Sequence, residues 1–448
     1  MDALSDPRAK LEAYAGQNLP RYTSYPTAPH FVPLPEATYR GWLAAIPPRE
    51  ALSLYLHNPF CQELCWYCGC HTAITRSRAR LSRYAEGLVR ETALLAGALP
   101  VGLTVEALHL GGGTPSAIGA AGLRQVMSAL RHAFDFRPDA ELSVELDPRT
   151  LNDEVVALLG EQGFTRASLG VQDMDEGVQK RIGRIQPPEL VASAVRRLRG
   201  AGIRSINFDL MYGLPGQDVT HVAASARFAA EQGADRVAVF GYAHVPWMKP
   251  HQKAIEEAAL PGALARMDQA EAAERALLAE GYVAIGLDHF ARPDDPMAIA
   301  AEAGTLHRNF QGYTTDRAPV LLGLGASSIG SLPQGYAQNI ADERRWLAAV
   351  EAGRLPVARG LELTGDDRLR RSFIEAVMCD LELDLSRVPV PIWQAAEPRL
   401  APLLRDGLAR LEDGRLRVTE TGRRFVRHVA ACFDARLGAG PARHSRAV

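Results

Sequence analysis

Disulfide scaffolding is the first thing this chain lacks. It has six cysteines in 448 residues, four of them crowded between positions 61 and 70, and no oxidised framework is built from so few. No apolar stretch approaches the roughly eighteen residues of a membrane span. The first residues, Met1-Asp2-Ala3-Leu4-Ser5-Asp6, lack a signal-peptide pattern, so the expected compartment is the cytoplasm. Excess charge of one sign is also missing. The 50 Lys and Arg stand against 52 Asp and Glu for a net charge of −2, which removes a general attraction to nucleic acid or anionic lipid. Lysine is rare beside arginine, a bias read as genome composition with no functional inference. The 47% apolar and 23% charged residues are ordinary for a globular protein. The length leaves room for one large domain and one or two smaller ones.

The run His57-Asn58-Pro59-Phe60-Cys61-Gln62-Glu63-Leu64-Cys65-Trp66-Tyr67-Cys68-Gly69-Cys70 carries the chemistry. Cys61, Cys65 and Cys68 are spaced C-x3-C-x2-C, which suits three corners of an iron–sulfur cube. Four cysteines close a [4Fe–4S] cluster, whereas three leave one iron open to the amino and carboxylate groups of a small ligand. A zinc ribbon is disfavoured because it pairs two C-x2-C knuckles, and no second knuckle exists. Cys70 breaks the spacing and is left free. Cys379 and Cys432, in apolar or amphipathic contexts, read as buried thiols.

Residues 1–50 form an arm rich in Pro and Tyr, whose prolines argue against a long helix. Over 51–355, short apolar runs alternate with helix-period segments. Strands are predicted at Ser53–Leu56, Ala107–Leu110, Glu141–Glu145, Arg166–Gly170, Ser205–Leu210, Arg236–Tyr242 and Tyr282–Gly286. Helices are predicted at Leu81–Ala96, Gly122–Ala133, Asn152–Gln162, Glu189–Arg199, His221–Glu231 and Ala263–Ala279. This alternation implies parallel strands with right-handed crossovers, an α/β partial or full TIM-like barrel. Several strands run into polar or glycine-rich clusters, and barrel chemistry sits at the carboxyl ends of strands. Residues 356–448 change pattern. Arg368–Leu381 reads as a helix, Leu400–Asp406 as a short one, Asp413-Gly414 as a hairpin turn and Thr421–Ala435 as a last helix. The result is a mostly helical, winged-helix-like domain. A lid or packing role is favoured over DNA binding, because the charge is balanced.

Gly111-Gly112-Gly113-Thr114-Pro115 puts three residues without Cβ at a strand end, where a ligand can approach the backbone. It lacks both the P-loop ending and the dinucleotide spacing. Glu145, Gln172, Arg184 and Asp209 offer charge and hydrogen bonds to a small polar ligand at these strand ends. Tyr67, directly before Cys68, and Tyr55 offer aromatic faces for packing on such a ligand.

The cysteine spacing resembles that of the radical S-adenosylmethionine (SAM) enzymes, in which SAM takes the open iron and a GGE-like turn receives its amino group. Almost the whole chain resembles one family within them, the oxygen-independent coproporphyrinogen III oxidases of haem biosynthesis. The resemblance rests on Pro20-Arg21-Tyr22-Thr23-Ser24-Tyr25-Pro26-Thr27, the cysteine loop with Gly69-Cys70, Gly111–Pro115 and Glu145-Leu146-Asp147-Pro148-Arg149. It continues through Gly170-Val171-Gln172-Asp173, Phe208–Pro215, Tyr242-Ala243-His244, Asp288–Asp295 and His307–Thr315. Two positions depart from the pattern. Asn58 replaces a usually apolar residue, and Gly183 stands where Asn is common.

The resemblance implies a [4Fe–4S] cluster on Cys61, Cys65 and Cys68, and two SAM molecules. Contacts with SAM are implied for Tyr55, Tyr67, Gly112, Gly113, Thr114, Glu145, Gln172, Arg184, Asp209, Ala243 and Ile329. Cys70, Phe310 and Gln311 match positions implicated near the second SAM or in turnover. The implied reaction converts two propionates of coproporphyrinogen III into vinyl groups, giving protoporphyrinogen IX. It is driven by a reductant protein such as flavodoxin or ferredoxin, in an enzyme expected to be monomeric. Arg21, Arg76, Arg78, Arg292 and Arg308 are candidates by type for the substrate's four carboxylates. Two other readings stand beside this one. A haem chaperone-like relative would lack Cys70 and the arm motif; a cluster-dependent DNA-binding regulator would need a basic recognition helix, against Glu375, Asp380 and Glu382.

Overall fold

The computed structural model describes residues 7–438, so the Met1–Asp6 segment read for targeting lies outside the described residues. Seven parallel strands form its centre: β1 (Ala51–Asn58), β2 (Thr104–Gly112), β3 (Asp135–Leu146), β4 (Arg166–Gln172), β5 (Ser205–Tyr212), β6 (Arg236–Gly241) and β7 (Val320–Leu324). Their spatial order is β7-β1-β2-β3-β4-β5-β6. Between the first six lie α1 (Arg78–Ala96), α2 (Gly119–Ala133), α3 (Asp153–Glu161), α4 (Pro188–Gly200) and α5 (Val219–Glu231), and α6 (Ala263–Ala279) follows β6. Local capping sets several starts. The side chains of Ser77, Asn152 and Asp218 accept backbone N–H groups at the heads of α1, α3 and α5.

The sheet is not a closed barrel among the described residues. Antiparallel strands extend β7 through Ile329–Leu332, Gly335–Asn339 and Val357–Glu362 to Val32–Pro33, and extend β6 through His289–Ala291 to Val283–Ile285. Two strand expectations change accordingly. The run at Tyr282–Gly286 forms only the outer edge strand Val283–Ile285, separated from β6 by His289–Ala291. The seventh parallel strand comes instead from Val320-Leu321-Leu322-Gly323-Leu324, an apolar run overlooked because a buried strand shows no alternation.

Strand alternation separates two environments. Leu52, Leu54 and Leu56, Leu108 and Leu110, Val144, Leu169 and Phe208 turn outward into one core shared with the helices. Ser53, Tyr55, His109, Ser143, Ser168, Asn207, Asp209 and Arg236 turn inward and line a polar space of ≈ 1100 Å³. The register holds Tyr55 level with His109, and His109 level with Ser143.

The C-terminal elements are α7 (Gly365–Asp380), Glu382–Asp384, α8 (Val390–Arg405), the hairpin Ala409–Glu412 with Arg415–Val418, and α9 (Val426–Ala431). Helix α8 starts well before the expected Leu400 and runs through Pro398, because Ile392, Ala396, Leu400 and Leu403 pack into the core. The last helix is shorter than Thr421–Ala435, with a 3-10 turn at Arg423–Phe425 before α9. The arm's Leu19, Tyr22 and Tyr25 belong to this same C-terminal core. The first half of the arm thus shares the C-terminal core, whereas Tyr39, Trp42, Leu43 and Ile46 of its second half pack into the core of the sheet and its helices.

Candidate active site

The cysteine loop leaves the carboxyl end of β1 and is fastened on three sides. Underneath, Gly113 N donates to Asn58 O at 2.7 Å, Thr114 N to Phe60 O at 2.8 Å, and Asn58 Nδ2 to Thr114 O at 2.7 Å. Ala73 N and Thr75 N donate back to Pro59 O and Cys61 O. On the far side Lys249 Nζ donates to Cys70 O and Gln252 Nε2 to Tyr67 O, while His251 Nε2 lies 2.8 Å from Cys68 O. The turn after β2 must be glycine where it meets this loop. Gly112 has φ +117, and a Cβ there would lie 2.6 Å from Asn58 O; a Cβ on Gly113 would lie 2.7 Å from Phe60 O.

One cavity of ≈ 1850 Å³ collects most of the predicted residues: Cys61, Cys65, Tyr67, Cys68, Cys70, Gly112, Gly113, Glu145, Gln172, Arg184, Asp209 and Ala243. Their common place follows from position at the carboxyl ends of β1 to β6. Tyr55 lies deeper, on the polar space inside the sheet, which shares Cys70, Glu145, Ser168, Asp209 and Phe240 with the outer cavity. Gln311 also lines that inner space. Three expected contacts lie off both cavity walls. Thr114 is buried in its turn, with its hydroxyl against Ser116. Phe310 and Ile329 pack with Phe31, Tyr336 and Leu363.

Among the arginines proposed for the substrate path, Arg21 lines the outer cavity. Arg308 instead donates to the carbonyls of Tyr22 and Arg21, holding the arm. Arg76 pairs with Glu63 at the exposed loop edge, and Arg78 opens α1. Arg292 lies over the Tyr282 ring, away from the cavity.

The electrostatics centre on Asp147, a residue whose role went unread although it lies in the Glu145–Arg149 motif. It accepts from Arg149 Nη2 at 2.7 Å and from Arg184 Nη2 at 3.2 Å. Both arginines then reach Cys65 Sγ, at 3.3 and 3.4 Å. Burial pushes the Asp147 carboxyl up, but the two guanidinium groups outweigh it and hold the group below its usual range. Glu145 is likewise held low against burial. Its Oε1 lies 3.0 Å from His109 Nε2 and its Oε2 accepts from Gly112 N at 3.0 Å. Asp209 goes the other way. Burial raises it although Ser168 Oγ and Asn207 Nδ2 both donate to it at 2.9 Å. Burial pushes the Cys61 thiol up to about 12.

This donor set fits an iron–sulfur cluster. Three sulfurs share one cavity wall, and two guanidinium groups donate to one of them, the kind of hydrogen bond that tunes such a centre. Among the described residues no three His, Cys, Asp or Glu side chains converge on a single ion.

Residues 55–229 match the family model of the radical SAM superfamily, and residues 363–425 match that of the HemN C-terminal domain. An oxygen-independent coproporphyrinogen III oxidase of Bradyrhizobium diazoefficiens is 50% identical, covering 97% of this chain and 98% of its own. One from Escherichia coli K12 is 39% identical over 93% of both chains. The solved structure of coproporphyrinogen III oxidase (HemN) from Escherichia coli, described as a radical SAM enzyme, superposes with a TM-score of 0.88 at 37% identity. It covers 94% of this chain and all of that one. With 50% identity to one such enzyme over nearly the full length of both chains, and this superposition on another, this chain belongs to the oxygen-independent coproporphyrinogen III oxidase family.

Proposed function

We infer that this protein is an oxidoreductase that oxidatively decarboxylates two propionates of coproporphyrinogen III to vinyl groups, giving protoporphyrinogen IX. The observation that carries this reading is the single cavity on which Cys61, Cys65 and Cys68 meet Gly112, Glu145, Arg184 and Asp209. Cys61, Cys65 and Cys68 would hold a [4Fe–4S] cluster. When bound, the cluster and SAM supply an electron and a carbon-centred radical that takes hydrogen from the propionate β-carbon. Arg149 and Arg184 share Asp147 and donate to Cys65, so the loop is held against a rigid charged base.

The Gly112–Gly113 backbone leaves room for the amino end of SAM, beside the low-lying Glu145 carboxylate. Gln172, Asp209 and Ala243 extend along the same wall toward its ribose, with Tyr67 available to the adenine. A second SAM is assigned to the inner polar space beside Cys70, lined by Tyr55 and Gln311. Thr114, Ile329 and Phe310 stand behind these walls, off the cavity surface. Arg21, brought to the mouth by the arm, faces the carboxylates of the incoming porphyrinogen. A reduced flavodoxin or ferredoxin is the proposed electron donor, and the working form is a monomer. No helix among the described residues is long and apolar enough to cross a membrane.

The test is an anaerobic assay of cluster-reconstituted protein with SAM, a strong reductant and coproporphyrinogen III, with porphyrins resolved chromatographically. The doubly decarboxylated product is the expected result. Cleavage of SAM to 5′-deoxyadenosine without that product would move the substrate elsewhere and sink the reading.

A further inference from the structure

Large apolar side chains are unevenly exposed. Leu64, Trp66, Ile74, Ile185, Trp247 and Met248 are all solvent-facing, Trp247 at 53% and Met248 at 61%. They all sit in the cysteine loop or in segments fastened to it. Leu64 and Trp66 flank Cys65, and Ile74 pairs with Cys61 in a two-residue parallel ladder. Trp66 lies against Gly183, and its backbone N–H donates to Ile182 O, beside Ile185. Trp247 and Met248 precede Lys249, which holds Cys70 O. Scattered exposed apolar residues need no explanation, but a rim of them round one loop marks a contact surface.

The same segments are basic. Stretches 61–78, 180–185 and 247–253 carry six Lys or Arg besides the buried Arg184, against one Glu, in a chain whose net charge is −2, and they hold three of its four lysines. Arg76, Lys180 and Arg181 make exposed pairs with Glu63, Glu176 and Glu256, which hold them only weakly. Arg78 stands in the first turn of α1, where a cation opposes the helix dipole, so helix stability does not account for it.

We propose that this rim is the docking surface of a small acidic electron-carrier protein. The inference rests on the reading above, that Cys61, Cys65 and Cys68 hold the cluster that must be reduced. An apolar centre edged by one sign of charge suits a transient electron-transfer contact, in which complementary charge sets the encounter rate. A second copy of this chain is a poor occupant, since pairing the rim with itself sets basic groups against basic groups.

The test uses the full chain with flavodoxin and ferredoxin as probes, and the variants Arg78→Glu/Lys253→Glu and Trp247→Ala. None of the three residues lines the cavity or holds the cysteine loop. Calorimetric titration with the oxidised carriers reads affinity independently of turnover, and stopped-flow spectroscopy reads cluster reduction by the reduced carriers and by dithionite. In both variants the expected result is about ten-fold weaker carrier binding, slower carrier-driven reduction and an unchanged dithionite rate, with wild-type binding weakened by salt. Unchanged carrier affinity in both variants, equal losses with carrier and dithionite, or no wild-type binding to either carrier would each overturn the proposal. Dithionite-driven conversion of coproporphyrinogen III by the wild type tests the enzymatic reading separately.

Discussion

Asn58 has an orphaned carboxamide oxygen. It is fully buried beneath the cysteine loop; its Nδ2 donates to Thr114 O, and its Oδ1 has no partner. One hydrogen bond is therefore offset by one unsatisfied acceptor. Asn58→Leu should cost less than about 1 kcal/mol, because bond and orphan disappear together, whereas Asn58→Ala also leaves a hole and should cost about 2 kcal/mol by urea denaturation. Gly112 tolerates no such exchange. A Cβ would strike the backbone of Asn58 at a φ that side chains avoid, so Gly112→Ala should weaken SAM binding about ten-fold by equilibrium dialysis. Asp288 gives the pH dependence. Burial alone would raise its carboxyl, but His289, 2.8 Å away, with Arg308 and Arg21, holds it down to about 2. A depressed folded-state value stabilises the protein above the ordinary Asp range and is lost as pH falls through about 2. Asp288→Asn should remove about 2 kcal/mol near neutrality and flatten the decline in stability between pH 5 and 2.5.

Between elements, the decisive contact is Glu91 on α1. It is buried and accepts from Gly325 N at 2.7 Å, Asn339 Nδ2 at 2.6 Å and Trp346 Nε1 at 3.1 Å. One carboxylate thus ties α1 to the segment following β7, more than two hundred residues along the chain. Glu91→Ala would strand the buried donors Gly325 N and Trp346 Nε1. A loss of about 3–5 kcal/mol is expected by chemical denaturation, and a loss under about 1 kcal/mol would contradict the role. The helix limits show the same long-range control. The expected helix covered only Leu400–Asp406, yet α8 starts at Val390 and runs through Pro398 because its apolar face fills the C-terminal core.

For the whole molecule, the arm joins the two ends of the chain. Tyr22 Oη donates to Asp434 at 3.0 Å, Ala435 N to Tyr25 Oη, Tyr336 Oη to Tyr25 O, and Arg308 to the carbonyls of Arg21 and Tyr22. Leu19, Pro20 and Arg21 then form part of the cavity wall. Deleting residues 1–26 should reduce turnover at least about ten-fold while SAM binding stays within about three-fold, since the wall is lost but the strand ends remain. Unchanged turnover after deletion would refute a role for the arm. Tyr22→Phe, which removes only the hydroxyl bond to Asp434, should cost about 1–2 kcal/mol in thermal or chemical unfolding.

The sequence by itself determined what is written over short stretches. The C-x3-C-x2-C spacing, the three glycines after β2, six of the seven parallel strands and the hairpin at Asp413-Gly414 all follow from neighbouring residues or from periodicity. Tertiary structure alone decided which distant groups meet. Lys249 comes to Cys70 and Arg184 to Cys65 across more than a hundred residues. Val320–Leu324 becomes the strand beside β1, and the arm is buried against the C-terminal helices. Phe310 and Ile329, named by resemblance, pack in a separate apolar cluster. The physical reason is range. Spacing and alternation encode local geometry, whereas strand order and buried polar partners are selected only when the whole core closes and every desolvated group must find what satisfies it.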